Sequence, residues 1–302
     1  MSSRIKYLPH QHINKEKWDA CISNSSNALI YSYSFYLDAM AKRWDALVLN
    51  DYEAVMPLTW NRKWGIKYAY QPPLTPQLGI FSATTVSAAL VDRFIAEIKK
   101  HFKFAEIFLN YTNDHPAFSP RCNYILRLDQ PYTILRTAYK NDLLKNLKKA
   151  SQLELNYTSN VDLQEALLLH QQQYGERTPH VLQEDYMHFE ELCLQLFREG
   201  HTVLRAAFDK RNTLLAVAVL FLKNNRLYLI ESTTLESGRT MQANHFLIDA
   251  IIQEFSGKDI VLDMVGSDIP GIAHFYKNFG CLEQPYFFYR YNNLPWPVHL
   301  LK

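Results

Sequence analysis

The sequence predicts an α/β (α+β) chain of two tandem domains, each a mixed, mostly antiparallel sheet flanked by helices. Three observations carry this expectation. Short β-branched and aromatic runs alternate with amphipathic helical stretches along all 302 residues, the pattern of sheets covered by helices. The order hairpin, strand, long helix, strand, closing strand runs from Ala46 to Leu128 and returns from Thr202 to Tyr291, a repeat of pattern with little residue identity. Hydrophobic residues are 48% and charged residues 21% of the chain, which excludes a disordered polymer. The repeat divides the chain into residues 1–135 and 136–302, with no Gly/Ser linker between them.

The elements come in order. Ile5–Leu8 is a candidate strand, and Asn14 is placed to cap a helix with Trp18 and Cys21 on one face. LIYSYSFYLDAMAKRW turns helical from Ser34. Ala46–Leu49 and Ala54–Trp60 read as a hairpin turning at Asn50-Asp51, and Trp64–Tyr70 as a third strand. QPPLTPQLGIFS, with its prolines and glycine, is a loop. Val86, Leu90, Phe94, Ile98 and Phe102 recur at helical spacing on one buried face. Phe104–Leu109 and Tyr124–Leu128 are strands on either side of the TNDHPAFSP turn.

Tyr132–Ala150 reads as one helix with a basic end. Leu143, Leu144, Leu147 and Ala150 form its apolar stripe, and Lys145, Lys148 and Lys149 lie opposite. Leu153–Tyr157 is a strand. Ser159 to Asp162 matches a capping box in its Asp form ahead of VDLQEALLLHQQQY, a helix interrupted by Gly175 and Pro179. Leu182–Arg198 is a second helix. Thr202–Phe208, Leu214–Leu222 and Arg226–Glu231 form a meander turning at DKRN and KNN. A polar loop (STTLESGRT), a long helix (MQANHFLIDAIIQEF), a strand (DIVLDMV), a short helix (IAHFYKNFG) and an aromatic strand (PYFFYRY) close the chain.

Composition narrows the function classes. A net charge of +2 offers no whole-protein argument for nucleic acid or membrane binding. Cys21, Cys122, Cys193 and Cys281 lack CxxC spacing and fall in or near apolar runs, so they are expected as free thiols, with no metal role. No apolar run approaches the ~18 residues of a membrane span. No secretory leader is visible, and the expected compartment is the cytoplasm. HExxH, GxSxG, GxxxxGK[ST] and GxGxxG are all missing, and His170, His180 and His188 straddle the helix break at Gly175 and Pro179 and make a poor metal set.

Several residues remain as candidates. The helix after Ser232 offers unpaired backbone N–H groups to an anion, or is a plain helix start capped by Thr240. Glu231 ends an apolar strand, where burial would raise its pKa; an exposed strand-end glutamate is the plain alternative. His170, Tyr174 and Arg177 share one side of a helix end and either line an acceptor pocket or form a polar terminus. Lys145, Lys148 and Lys149 either meet phosphate groups or form a solvated face.

Several local matches resemble the FemABX-like tandem branch of the Gcn5-related N-acetyltransferase (GNAT) superfamily. Trp18 with IYSYSFYLDAM resembles its early W…S…W/Y-L segment. Leu144–Ala150 (LKNLKKA) resembles its R-x-x-I-R-K-A helix. Asp263-Met264-Val265-Gly266-Ser267-Asp268-Ile269-Pro270-Gly271-Ile272, with Phe275-x-Lys277-x-Phe279-Gly280, resembles its D-x-x-G…G-I…F-K-x-x-F-G ending. His274–Cys281 is also similar to the superfamily's L-Y-x-x-x-G-F segment. The resemblance covers almost the whole chain and implies two GNAT-like domains acting as an acyltransferase (N-acyl or aminoacyl transfer to an amine).

The resemblance also implies roles. Tyr276 becomes the acid that protonates a leaving thiolate, a phenol of pKa ~10 against a thiol of ~8.5. Glu231 becomes the base or water-positioner, and backbone N–H groups at a splay between core strands hold the oxyanion. Arg239, Thr240, Gln242 and Asn244 take the place of the Arg/Gln-x-x-Gly-x-Gly/Ala donor loop for acyl-CoA, with Gln242 and Asn244 where small residues are usual. His170, Tyr174, Arg177, Lys145 and Lys149 would meet the acceptor, a small molecule or a peptidoglycan-precursor-like amine. An aminoacyl-tRNA donor is also within the branch, although its coiled-coil insertion is missing between Gly200 and Thr240. The alternative is a non-catalytic tandem GNAT-fold protein that binds a ligand or partner in the inter-domain cleft.

Overall fold

The structure, a computed structural model, describes residues 4–266 and 268–296. Its contacts divide the chain into two units: one runs up to Arg121 and resumes at Pro285, and the other is Cys122–Gln284.

In the first unit, β1 (Ile5–Leu8), β2 (Trp44–Leu49), β3 (Ala54–Lys63) and β4 (Ile66–Tyr70) form an antiparallel meander. Helices α1 (Lys15–Asn24) and α2 (Ser34–Met40) are inserted after β1. Asn14 caps α1 by accepting the Lys17 N–H at 2.9 Å. Trp18 is fully buried, and its indole N–H reaches the Ser32 carbonyl at 2.9 Å. The short β5 (Phe81–Ser82) pairs with β3. Helix α3 (Ala88–His101) buries Val91, Phe94, Ile95 and Ile98 and crosses over to β6 (Phe104–Leu109), which lies parallel to β4. β7 (Ser119–Arg121) comes after it.

The second unit repeats the plan. It begins with β8 (Tyr124–Arg127), α4 (Tyr132–Leu135) and α5 (Asn141–Ala150). The single helix expected over Tyr132–Ala150 is broken, because Tyr139 and Lys140 are extended (ψ 136° and 156°). Tertiary contacts overrule the helical pattern there. Tyr139 is buried, donates its hydroxyl to Asp249 at 2.8 Å and packs edge-on against Phe279. β9 (Asn156–Thr158), α6 (Leu163–Tyr174), α7 (Gln183–Arg198), β10 (Thr202–Phe208), β11 (Leu214–Lys223) and β12 (Arg226–Thr234) come next. The cap of α6 is Asp162 itself, which accepts the Glu165 N–H at 2.9 Å, so the box does not start at Ser159. The β11–β12 hairpin turns on Asn224 and Asn225, both at positive φ (50° and 54°), the turn whose twist matches the strands.

The second unit closes with α8 (Glu236–Thr240), α9 (Ala243–Phe255), β13 (Val261–Asp263), α10 (Pro270–Asn278) and β14 (Leu282–Glu283). Helix α9 buries Leu247, Ile248, Ile251 and Ile252 and is the crossover to β13, parallel to β12. Gly238 in α8 has no room for a side chain: a Cβ there would stand 2.2 Å from the Leu215 carbonyl oxygen. Among the described residues no helix is long and apolar enough to cross a membrane.

The sheets run β1-β2-β3-β4-β6-β15-β7 and β14-β8-β13-β12-β11-β10-β9, where β15 is Tyr286–Asn292. Each is a four-stranded antiparallel meander, a crossover helix, a parallel strand and an antiparallel strand beyond it. The last component is exchanged. β15, expected to close the second sheet, pairs with β6 and β7 in the first. β8, expected in the first, pairs with β13 and β14 in the second. The observed division at Arg121 and Gln284 therefore differs from the expected one at residue 135. Strand type is written in the alternation of side chains, but the identity of the pairing partner is not. Bonds from Leu128 N–H to Ile260 O (2.8 Å) and from Asn123 to Asp263 (3.0 Å) hold the β8 segment in the second unit.

Candidate functional site

Parallel strands β12 and β13 pair only over Arg226–Tyr228 and Val261–Asp263. Beyond Tyr228 that edge of β12 has no ladder partner among the described residues. Just past this point β12 is bulged: Leu229 faces Leu220 and Glu231 faces Val219, leaving Ile230 as the extra residue. A bulge bends its strand and re-aims the side chains beyond it. The result is a cleft of about 460 Å³, floored by Leu229, Ile230, Ser232 and Thr234 and rimmed by Met264, Val265 and Gly266.

The rim explains the D-x-x-G segment. The Asp263 carboxylate receives the Arg226 Nε–H at 2.7 Å, the Asn123 amide at 3.0 Å and the Val265 N–H at 2.8 Å. Gly266 has φ 75°, and a Cβ on it would lie 2.8 Å from the Cys122 carbonyl oxygen. Val265 has φ 59°, a strained conformation for a β-branched residue, held by these bonds at the edge of the cleft. Ser267 of the same motif lies outside the described residues. Asp268 accepts the Cys122 N–H at 3.1 Å.

Helix α10 brings Tyr276 to the cleft, beside the rings of Tyr124 and Phe275. Burial is the main reason its phenol pKa is raised, with Cys281 and Asp263 adding to the effect. The hydroxyl therefore stays protonated at neutral pH. Gly280 (φ 78°) ends the segment, where a Cβ would meet the Ala138 side chain at 2.6 Å. Phe279 is fully buried between Tyr139 and Phe275.

Helix α6 supplies the opposite wall. His170 Nδ1 lies 3.0 Å from the Thr233 hydroxyl, and burial lowers its pKa to about 4, so the ring is neutral. Tyr174 packs on His170 with centroids 5.0 Å apart, and the Arg177 guanidinium lies over Tyr174 at 5.0 Å. These three residues, Asn244 and Tyr276 thus line one cavity.

The donor-loop residues divide. Asn244 lines the cleft and accepts from Ser232 Oγ at 3.0 Å. Arg239 is exposed beside Gln173, and Thr240 donates to the Ser237 carbonyl at 2.9 Å, so Thr240 does not cap α9. The N-cap position belongs to Gln242, in left-handed conformation (φ 60°) with no capping bond from its side chain. None of Arg239, Thr240 and Gln242 lines the cleft.

Lys145 and Lys149 belong to a neighbouring basin of about 760 Å³, with Lys148 and Asn146 of α5, His245 of α9 and His274 of α10. The basin and the cleft share Gly271 and Phe275 as lining. His245, whose pKa is lowered by burial, lies 3.2 Å from the Asn146 amide and packs against Phe275. The histidines of this basin were not legible as site residues, since only the fold brings α5, α9 and α10 together.

Glu231 goes elsewhere. Its carboxyl opens into a third cavity of about 190 Å³ under α6 and α7, which shares no lining residue with the cleft. Burial raises its pKa to about 8, and Oε2 has no hydrogen-bond partner. Cys193 and Cys281 are buried free thiols, and Cys21 and Cys122 are partly buried ones. Among the described residues no group of three or more His, Cys, Asp or Glu could hold a metal ion.

Residues 137–278 match the acetyltransferase (GNAT) domain family. No curated protein matches the chain. Among solved structures, FemX is similar over 98% of this chain and 99% of its own, with a TM-score of 0.65 and 12% identity. A conserved protein of unknown function from Bacteroides thetaiotaomicron aligns over 94% and 99%, with a TM-score of 0.60 and 10% identity. L-PGS from Bacillus licheniformis aligns over 95% and 94%, with a TM-score of 0.53 and 11% identity. At these identities the likeness is one of fold.

Proposed function

We propose that this chain, whose residues 137–278 match the acetyltransferase (GNAT) domain family and whose fold is similar to that of FemX, transfers an acyl or aminoacyl group to an amine acceptor. The observation that carries the reading is the splay of β12 from β13 at the Ile230 bulge. It opens a cleft bordered by unladdered strand edge on one side and by Tyr276 on the other. Backbone N–H groups fixed in such a place can receive a carbonyl oxygen as it gains negative charge.

In the proposed reaction the acceptor nitrogen attacks the donor carbonyl carbon. The new C–N bond replaces the C–S bond of a thioester or the C–O bond of an aminoacyl ester. The nitrogen proton passes to solvent. Glu231 is given no part as base, because its carboxyl lines the other cavity. Tyr276 faces the leaving group. Burial keeps the phenol protonated, so it can donate a hydrogen bond to the departing negative charge, and full proton transfer requires the donor to relieve that burial penalty by bringing charge or solvent to the hydroxyl. Replacement of Tyr276 by Phe is expected to lower kcat about 10²-fold with KM little changed. Unaltered turnover in that variant, measured in a steady-state assay, removes the assignment.

The donor's anionic part is assigned to the basin of Lys145, Lys148 and Lys149, which adjoins the cleft through Phe275. The start of α9 is less suited to a diphosphate, because the Asn244 side chain occupies its first turn. The double variant Lys148→Glu, Lys149→Glu is expected to weaken donor binding by about tenfold or more, equivalent to ~1.4 kcal/mol. Both side chains are exposed, so the melting temperature should hold. A thermal-shift series tests the reading. Stabilisation by coenzyme A indicates an acyl-CoA donor. Stabilisation by a UDP-linked muropeptide points to a peptidoglycan-precursor-like acceptor. Stabilisation by such ligands without turnover from any acyl-CoA or aminoacyl-tRNA favours a binding protein instead.

A further inference from the structure

We propose that the cavity under α6 and α7 is a binding site for a small alkylammonium group, held by the Glu231 carboxylate and separate from the acyl-transfer cleft. Glu231 sits on β12 between Ile230 and Ser232, which line the cleft, yet it lines the other, partly open cavity instead. The residue is only 6% exposed, and Oε2 has no partner. A buried carboxyl oxygen left unsatisfied is costly, and native folds rarely carry one without a use.

The walls select the ligand. Among the described residues no Lys, Arg or His lines the cavity, whereas a second carboxylate, Glu190, does. Gln164 donates to Glu190 at 2.7 Å and Gln171 donates to Gln183 at 2.7 Å, so each of these two amides has an N–H engaged within the wall. Tyr186 is paired with Thr178 at 2.9 Å. The polar lining that is left is rich in oxygen acceptors, and an ammonium brings three donors to them. Leu167, Leu168, Met187 and Phe189 offer apolar walls to methylenes. At about 190 Å³ the space holds roughly six atoms at the ~30 Å³ share of a water molecule. That suits an amine of about five carbons. A divalent cation is disfavoured, because among the described residues no third carboxylate, Cys or His completes a metal set.

The groups facing Glu231 are Glu190, Cys193 and Tyr186 from α7, while His170 of α6 turns to Thr233. Burial first, and then Glu231 and Glu190, push the Cys193 thiol up, as expected beside two carboxyls. An unoccupied Glu231 is largely protonated at pH 7, so a bound ammonium displaces that proton to solvent.

The test is calorimetric titration of the full chain with n-pentylammonium at pH 7, in two buffers of different ionisation heat and without any acyl donor. Its outcome is therefore independent of the acyl-transfer reading. Saturable binding with release of close to one proton is expected. Glu231→Gln should weaken it at least tenfold. Leu168→Trp, a change at a half-exposed wall residue that leaves the core intact, should do the same. 1-Pentanol, which lacks the charge, should bind at least tenfold more weakly. Nα-acetyl-lysine N-methylamide separates the sources: binding comparable to pentylammonium indicates a lysine side chain, and weaker binding a free amine. Lack of saturable pentylammonium binding, or full binding in both variants, overturns the proposal.

Discussion

Asp263→Ala is expected to destabilise the second unit by about 3–5 kcal/mol, the cost of removing one partner of a buried ion pair. The Arg226–Asp263 pair is 2.7 Å long, with side chains 9% and 2% exposed. Deleting the carboxylate removes the acceptor of the Arg226 Nε–H, while the guanidinium keeps its contacts with Tyr228 and Gln284. It also releases Asn123 and the Val265 N–H, so the strained cleft rim loses its anchor. Asp263→Asn should cost less, since an amide oxygen can still accept. The paired change Arg226→Met with Asp263→Leu should recover much of the loss, because no charge is then left buried. Urea unfolding reads the effect as a lower midpoint at unchanged slope. A loss below about 1 kcal/mol for Asp263→Ala contradicts the argument, since that is the range of exposed pairs.

This pair also marks how much of the molecule the sequence makes legible. Asp263 and Gly266 stand out there as a motif, and the fold gives them a physical meaning: one is a hub of three bonds, the other a positive-φ position against a carbonyl. Helices with a single strong apolar face, such as α3, α7 and α9, were legible because their period is local. The break at Tyr139 was not, because it depends on Asp249 and Phe279, more than a hundred residues away. The exchange of β8 and β15 was hidden for the same reason, since alternation names a strand without naming its neighbour. At the site, His170, Tyr174 and Arg177 could be grouped because one helix end holds them. The separation of Glu231 from Tyr276 could not, because it depends on a bulge at Ile230 and on which face each neighbour takes afterwards.

Glu231→Gln is expected to flatten the stability profile between pH ~4.3 and about 8. The folded carboxyl has its pKa raised to about 8 by burial, against ~4.3 for an unfolded glutamate. Between these values the folded state holds a proton that the unfolded state lacks. Wild-type stability therefore falls as pH rises from ~4.3, and the fall ends once pH passes about 8. The amide variant has no such proton to lose. The two proteins should converge near pH 4, and at pH 9 the variant should be the more stable, by an amount on the order of several kcal/mol. Thermal melts from pH 4 to pH 9 measure it directly, and parallel profiles would show that the carboxyl ionises freely. Saturating n-pentylammonium should shrink the wild-type loss at pH 9 and leave the variant unmoved. The ammonium binds the ionised carboxylate, which is the form that burial alone penalises.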